Sequence, residues 1–279
     1  MKEPTPEKIF PSPGEAFSIL IVTFLLPAFF VVLTRLMGLQ PENKLNLLIA
    51  EAFTILPAYL FLFYRKYPVS LVFRLQPVSL RIIGVSAVIG LALSFISDEI
   101  ERLMHIILPL PREIETTFST SLKAMLTANT PLDWILLILS TVLIAGLFEE
   151  MLFRGLLQNS LEEKMDITRA VLATAIVFSF IHFNPYWVVP IAILGVFLGV
   201  LAWKSNSIVP SATVHAVNNG LALVMTNLPE QKIGFLEWHG HVNPIFLLLA
   251  VIALYFGIKF FYQFVEEDME IPTLLNQPL

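Results

Sequence analysis

The octapeptide Phe148-Glu149-Glu150-Met151-Leu152-Phe153-Arg154-Gly155 sets two adjacent carboxylates and a guanidinium at the end of an apolar run, Trp134 to Leu147. An ionised group at bilayer depth costs roughly 2.5–3.5 kcal/mol on insertion scales, so three together need partners and point to a use. Glu150 and Arg154 are four apart, the spacing of an ion pair on one helix face, whereas Glu149 projects from a neighbouring face. Two further apolar runs carry polar groups. One holds His182, in Phe178-Ser179-Phe180-Ile181-His182; the other holds His215 and Asn219, again four apart, in His215-Ala216-Val217-Asn218-Asn219. Asn218 is turned about 100° from Asn219 and need not join them. A carboxylate and a neutral imidazole around one water can deprotonate it, making a nucleophile without a covalent intermediate. A second imidazole and an amide N–H can donate to a developing oxyanion. Together these parts describe hydrolysis of an amide inside a membrane. Glu149 and His182 would activate water, His215 and Asn219 would stabilise the tetrahedral intermediate, and Arg154 would hold Glu150.

Other hydrolytic designs leave marks that this chain lacks. It has no His-Glu-x-x-His zinc motif, no Gly-x-Ser-x-Gly elbow and no cysteine. No cofactor is required, although a zinc site from His182, His215 and a glutamate stays open, since three N/O ligands suffice for catalytic zinc. Proton- or ion-coupled transport is the alternative from another class, because buried Glu and His also form relays. Taken singly, an intramembrane His or Asn can serve as an interhelical hydrogen bond. Glu51 reads as a structural or interfacial residue paired with Lys44, and His105 as an interface residue. His239 and His241, in Trp238-His239-Gly240-His241, are a weak metal signal on an exposed loop.

The elements that must position these groups are membrane spans. Hydrophobic residues make up 56% of the 279 and charged residues only 14%, against about a quarter charged in a soluble domain. Apolar runs fall at Ala16–Met37, Leu45–Tyr64, Leu80–Ser97, Leu132–Leu157, Ala170–Phe183, Trp187–Trp203, Ile208–Asn227 and Pro244–Phe264. The expected fold is therefore all-α, a single polytopic bundle of about eight helices over 1–279, with the site helices between 132 and 227. The first run is too long for a signal peptide and follows a polar, proline-rich stretch, so it reads as a retained helix.

Arg65, Lys66, Arg74 and Arg81 crowd the link between the second and third runs, which reads as cytoplasmic. Alternation puts Lys2, Lys8, Arg154, Lys164, Arg169, Lys204 and Lys259 on the same side, with both termini. The long link over 98–131 then lies outside the cytoplasm, with an interfacial helix over Glu99–Leu108. Counted from the inner boundary at 1.5 Å per residue, Glu149 lies ~12 Å deep, His182 ~18 Å and His215 ~10 Å. Three helices thus bring acid, base and amide to a common level, which this count sets nearer the cytoplasmic face. The tail after Val265 is acidic and reads as a solvated end. There is no glycine-rich phosphate loop and no basic patch suited to nucleic acid.

Glu149-Glu150-x-x-x-Arg154, Phe178-x-x-x-His182 and His215-x-x-x-Asn219, in that order on three apolar runs, resemble the motifs of the CAAX protease and bacteriocin-processing (CPBP or ABI) family. The resemblance covers Leu132 to Asn227. It implies an eight-helix intramembrane glutamic endopeptidase that cleaves a peptide or membrane-protein substrate, lipidated in some members, among membrane lipids. It implies Glu149 as the water-activating base assisted by His182, His215 and Asn219 as the oxyanion hole, and Glu150 and Arg154 as orienting groups. Some relatives act instead in bacteriocin immunity or as scaffolds. The implied setting is a bacterial or archaeal cell membrane.

Overall fold

Ser12-Pro13-Gly14-Glu15 starts the first helix with a reciprocal cap. Ser12 N–H donates to Glu15 Oε2 at 2.8 Å, and Glu15 N–H donates to Ser12 Oγ at 3.4 Å. The structure, a computed structural model, describes residues 9–38 and 44–275. Lys2, Lys8 and both chain ends lie outside the described residues. Helix α1 is Pro13–Leu36 and α2 is Lys44–Tyr64. The second is interrupted at Ile55, where Pro57 has no N–H to continue the ladder. A single turn, Val69–Val72, leads into α3, Leu80–Ile107. Then follow α4 (Arg112–Leu126), α5 (Pro131–Glu162), α6 (Ile167–Phe180), α7 (Val188–Ser205), α8 (Val209–Asn227) and α9 (Pro244–Leu275). Among the described residues the only strands are a two-residue ribbon, β1 (Glu237–Trp238) and β2 (His241–Val242).

The chain is an all-α polytopic bundle and an integral membrane protein. Among the described residues six helices are long and apolar enough to cross a membrane: α1, α2, α3, α5, α7 and α9. The other two expected runs are helical as well, but α6 has only 14 residues and α8 carries His215, Asn218 and Asn219 among its apolar residues. Two differences from the sequence reading concern ends. Residues 99–107 continue α3 instead of forming a helix of their own, and the helix within the link is α4. The acidic stretch after Val265 is not a loose end: it is helical, with Glu266 on Lys204 Nζ at 2.7 Å and Glu267 and Asp268 on Arg81 at 2.7 and 2.6 Å.

Helix α5 runs through the middle, with Leu152, Phe153, Leu156 and Leu157 fully buried. From Leu152 to Leu161 every residue of α5 is buried, so this half lies in the core of the bundle, whereas Leu132, Ile135, Leu143 and Leu147 of the first half stay exposed. Gly155 sets one close approach: a Cβ there would lie 2.7 Å from Phe73 Cα, so the Phe73-Arg74 loop presses directly on the α5 backbone. Around α5, the helices α3 and α9 pack against each other, α8 packs on α3, and α6 on α7. Ion pairs collect at the two ends of the bundle. One end holds Arg74 with Glu162 and Arg81 with Glu267; the other holds Arg102 with Asp98 and Glu237, and His241 with Glu99.

Candidate active site

Two stretches of α5 depart from α-helical register, Ile138–Ile144 and Met151–Leu157, both π-helical, and Glu149-Glu150 sits in the α-helical turn between them. Such wide turns are frequent at functional sites. Each frees one carbonyl. Ala145 N–H bonds to Ser140 C=O, one residue further back than an α-helix would have it, and the Thr141 carbonyl accepts Asn219 Nδ2–H from α8 at 2.9 Å. Gln158 N–H likewise reaches Phe153 C=O, and the Arg154 carbonyl accepts Arg74 Nη1–H at 3.3 Å. The irregular register of α5 therefore supplies acceptors that tie it to α8 on one side of the glutamates and to the Phe73-Arg74 loop on the other.

Glu150 and Arg154 form the i,i+4 pair that their spacing predicts: Nη1–H donates to Oε1 at 2.7 Å with both side chains fully buried. Arg154 uses its remaining faces on neighbouring helices. Its Nη2–H donates to Gly195 C=O of α7 at 3.2 Å, and its guanidinium carbon stands 4.3 Å from the Phe178 ring centroid on α6. Gly195 permits this, since a Cβ there would lie 3.1 Å from Ala175 Cα and 3.4 Å from Arg154 Nη2. Glu150 Oε1 also takes His215 Nδ1 at 3.0 Å. Residue spacing within a helix does not predict this bond, which crosses from α5 to α8. It makes Glu150 the hinge of a chain from Arg154 through Glu150 to His215, whose other nitrogen, Nε2, stands 3.9 Å from Glu149 Oε2.

Tautomers follow from the acceptors. A carbonyl can only accept, so His182 Nδ1, 2.8 Å from Phe178 C=O, carries the hydrogen and a neutral His182 presents the Nε2 lone pair. His215 Nδ1 faces the Glu150 carboxylate, so its free nitrogen is also Nε2, a donor as imidazolium and an acceptor as neutral imidazole. Phe178 links these parts. Its ring packs edge-on to His182 at 5.1 Å and to His215 at 5.7 Å, and its carbonyl holds His182. His182 itself lies in the tightened turn just beyond α6.

A cavity of about 490 Å³ adjoins these groups, within the usual range of ligand pockets. Glu149, His182, His215 and Asn219 line it, while Glu150 and Arg154 lie behind, in the packed interior. Glu149 is 19% exposed, and its Oε2 is buried with no hydrogen-bonding partner among the described residues. The remaining lining is largely apolar, including Phe95, Leu194, Ile191 and Met225. Polar groups within helices come from Ser94, Thr141 and Asn218, and the charged members are Glu51 and, towards one end of the bundle, Asp98, Glu101, Arg102 and Glu237. That is the end of the bundle carrying the 98–131 link, so the cavity faces away from the Arg74–Glu162 end.

Two residues that the sequence reading set aside stand here, Glu51 and Asn218, with a third, Thr141, that it did not single out. Glu51 does not pair with Lys44, whose Nζ–H donates to Ala124 C=O at 2.6 Å; the glutamate lines the cavity instead. Asn218 lines it too and contacts Ser94 Oγ of α3 at 3.1 Å. Thr141 enters through its carbonyl. A uniform helical wheel hid Asn218, and a backbone acceptor freed by a π turn has no side-chain signature. His239 and His241 lie in and beside the β1–β2 ribbon and are not part of the cavity lining; His241 Nδ1 meets Glu99 at 2.8 Å. Among the described residues no group of three or more His, Asp or Glu is arranged to hold a metal ion.

Fold and site define a polytopic helical membrane protein with a buried Glu–His–Asn constellation. Residues 131–221, about a third of the chain, match the family described as type II CAAX prenyl endopeptidase Rce1-like. The match spans all three motifs and agrees with the CAAX protease resemblance. It supports, at that general level, a CAAX-protease-like membrane endopeptidase acting on a membrane-bound peptide substrate. No curated protein and no solved structure matches the chain.

Proposed function

We propose that this protein is an intramembrane endopeptidase of the glutamic type in which Glu149 activates water. The observation that carries the reading is the Glu149 Oε2 atom: a carboxylate oxygen without a hydrogen-bonding partner among the described residues, at a cavity, 3.9 Å from His215 Nε2. Glu149 takes a proton from water with His182 Nε2 accepting from the same water. The oxygen attacks the scissile carbonyl carbon, and the oxyanion forms within reach of the second Nδ2–H of Asn219, whose first is fixed on Thr141, and of protonated His215 Nε2. Glu149 then gives its proton to the amide nitrogen as the oxyanion re-forms the carbonyl and the C–N bond breaks, giving a carboxylic acid and an amine, which become carboxylate and ammonium by proton exchange in water. Glu150 and Arg154 hold His215 in orientation without touching the substrate. The substrate is a peptide or a membrane-protein segment, with lipidated chains among the candidates. The lining favours hydrolysis over transport, since it belongs to one end of the bundle while the other is filled by Leu152, Phe153 and Leu156.

Purified protein reconstituted in liposomes is expected to cleave an internally quenched apolar peptide. Ion flux without cleavage of any peptide tried would instead favour a carrier. Cleavage is proposed to be reached from the face that carries the 98–131 link. The lysine and arginine distribution makes that the extracytoplasmic face, in contrast to the depth count from the sequence. The chain contains no cysteine, so single cysteines report sidedness directly. In intact cells a membrane-impermeant maleimide is expected to label Gln231→Cys, at the cavity end, and to spare Glu163→Cys, at the opposite end. The reverse pattern would make the cavity cytoplasmic.

A further inference from the structure

Glu51 is a carboxylate within a membrane-spanning helix that the proposed hydrolysis does not use. It lies on α2, outside the family-matched segment, one helical turn after Leu47, and both line the cavity. Helix α2 packs on the stretch of α5 that precedes and includes the Glu149 turn. Glu51 lines the same cavity as Glu149, the reacting carboxylate. Its expected counter-ion is engaged elsewhere, since Lys44 Nζ is on the Ala124 carbonyl. Among the described residues the one lysine or arginine in the lining is also occupied: Arg102 contacts Asp98 at 3.3 Å, Glu237 at 2.5 Å and the Gly240 carbonyl at 3.1 Å. Glu101, a third carboxylate of the lining, is held by the neutral indole N–H of Trp187 at 2.8 Å. The cavity thus offers apolar walls and, beside the reacting carboxylate, a second carboxylate with no cation of its own.

We infer that Glu51 is a specificity-determining residue that reads a cationic side chain, Lys or Arg, next to the scissile bond of an otherwise apolar peptide. A positive side chain provides the charge that the fold withholds, and an anionic one enters against both glutamates. A hydrophobic segment flanked by a basic residue is the substrate class this describes. The inference rests on the peptidase reading for its reaction, although the recognition can be tested apart from it.

The experiment uses the full-length protein in proteoliposomes and matched quenched peptides with one apolar sequence. Each set carries Lys, Gln or Glu at a single position, scanned through the two residues on either side of the cleaved bond. Wild type is expected to favour Lys over Glu at one position by at least about 10-fold in kcat/KM. Glu51→Gln is expected to bring that ratio towards one, and Glu51→Asp to keep most of it. A wild-type ratio near one at every position overturns the inference whether or not the variants fold. A Glu51→Gln protein that is slower on all peptides alike, with its ratio intact, also overturns it, because that describes a carboxylate acting on Glu149 or on packing. If no peptide is cleaved, the hydrolytic reading fails, and fluorescence anisotropy of the same labelled peptides still decides this one. Tighter binding of the Lys peptide, lost in Glu51→Gln, upholds it, and equal binding overturns it.

Discussion

Glu149→Gln is expected to lower kcat/KM for peptide cleavage by about 10³-fold, the range attributed to a positioned general base. Gln keeps the shape of the side chain but cannot take a proton from water. The fold is expected to survive, because Glu149 is partly open to the cavity and its Oε2 has no hydrogen bond to lose. The measurement is steady-state cleavage of a quenched peptide, with product ends read by mass spectrometry and thermal unfolding followed in parallel. Activity within tenfold of wild type would remove Glu149 from the role of base. The neighbouring carboxylate gives the contrast. Glu150→Gln removes the charge that pairs with Arg154 and weakens the bond that orients His215, so activity and stability are expected to fall together. Of two adjacent glutamates, one substitution should therefore leave stability unchanged and the other lower it.

Arg154→Leu is expected to cost about 3–5 kcal/mol of stability, the loss found when one member of a buried ion pair is removed. Both side chains are fully buried, so the variant strands the Glu150 carboxylate in the packed interior. It also deletes the donor to Gly195 C=O and the cation above Phe178. Unfolding in detergent, monitored through the four tryptophans, is the check. The double variant Glu150→Gln, Arg154→Leu is expected to recover part of the loss, because it no longer buries a lone charge. A double variant as unstable as the sum of the two singles would mean that Arg154 acts through α7 and Phe178 and not through Glu150.

Whatever depended on residues close in the chain was legible from residue types alone. The apolar runs marked the helices, and the spacing of Glu150 and Arg154 implied a pair that the structure contains. Ordered motifs led to a family that the match over 131–221 also indicates. Helix ends were less legible, since the same apolar spacing continues across Ser97 and the acidic residues after Val265 find Arg81 and Lys204 only in the folded bundle.

The sequence by itself determined which side chains share a helix face, because the α-helical period is a property of the backbone and repeats wherever the helix is regular. Tertiary structure decided everything that crosses between helices or breaks that period. It joined His215 to Glu150, turned Glu51 away from Lys44 and into the cavity, and faced the cavity towards the 98–131 link. It also bent α5 into two π turns whose freed carbonyls hold Asn219 and Arg74. The physical reason is that these contacts depend on tilt, separation and register among packed helices, which are fixed by the fit of whole surfaces. A one-residue change in register, invisible in a list of residues, decides which carbonyl is left to accept a bond.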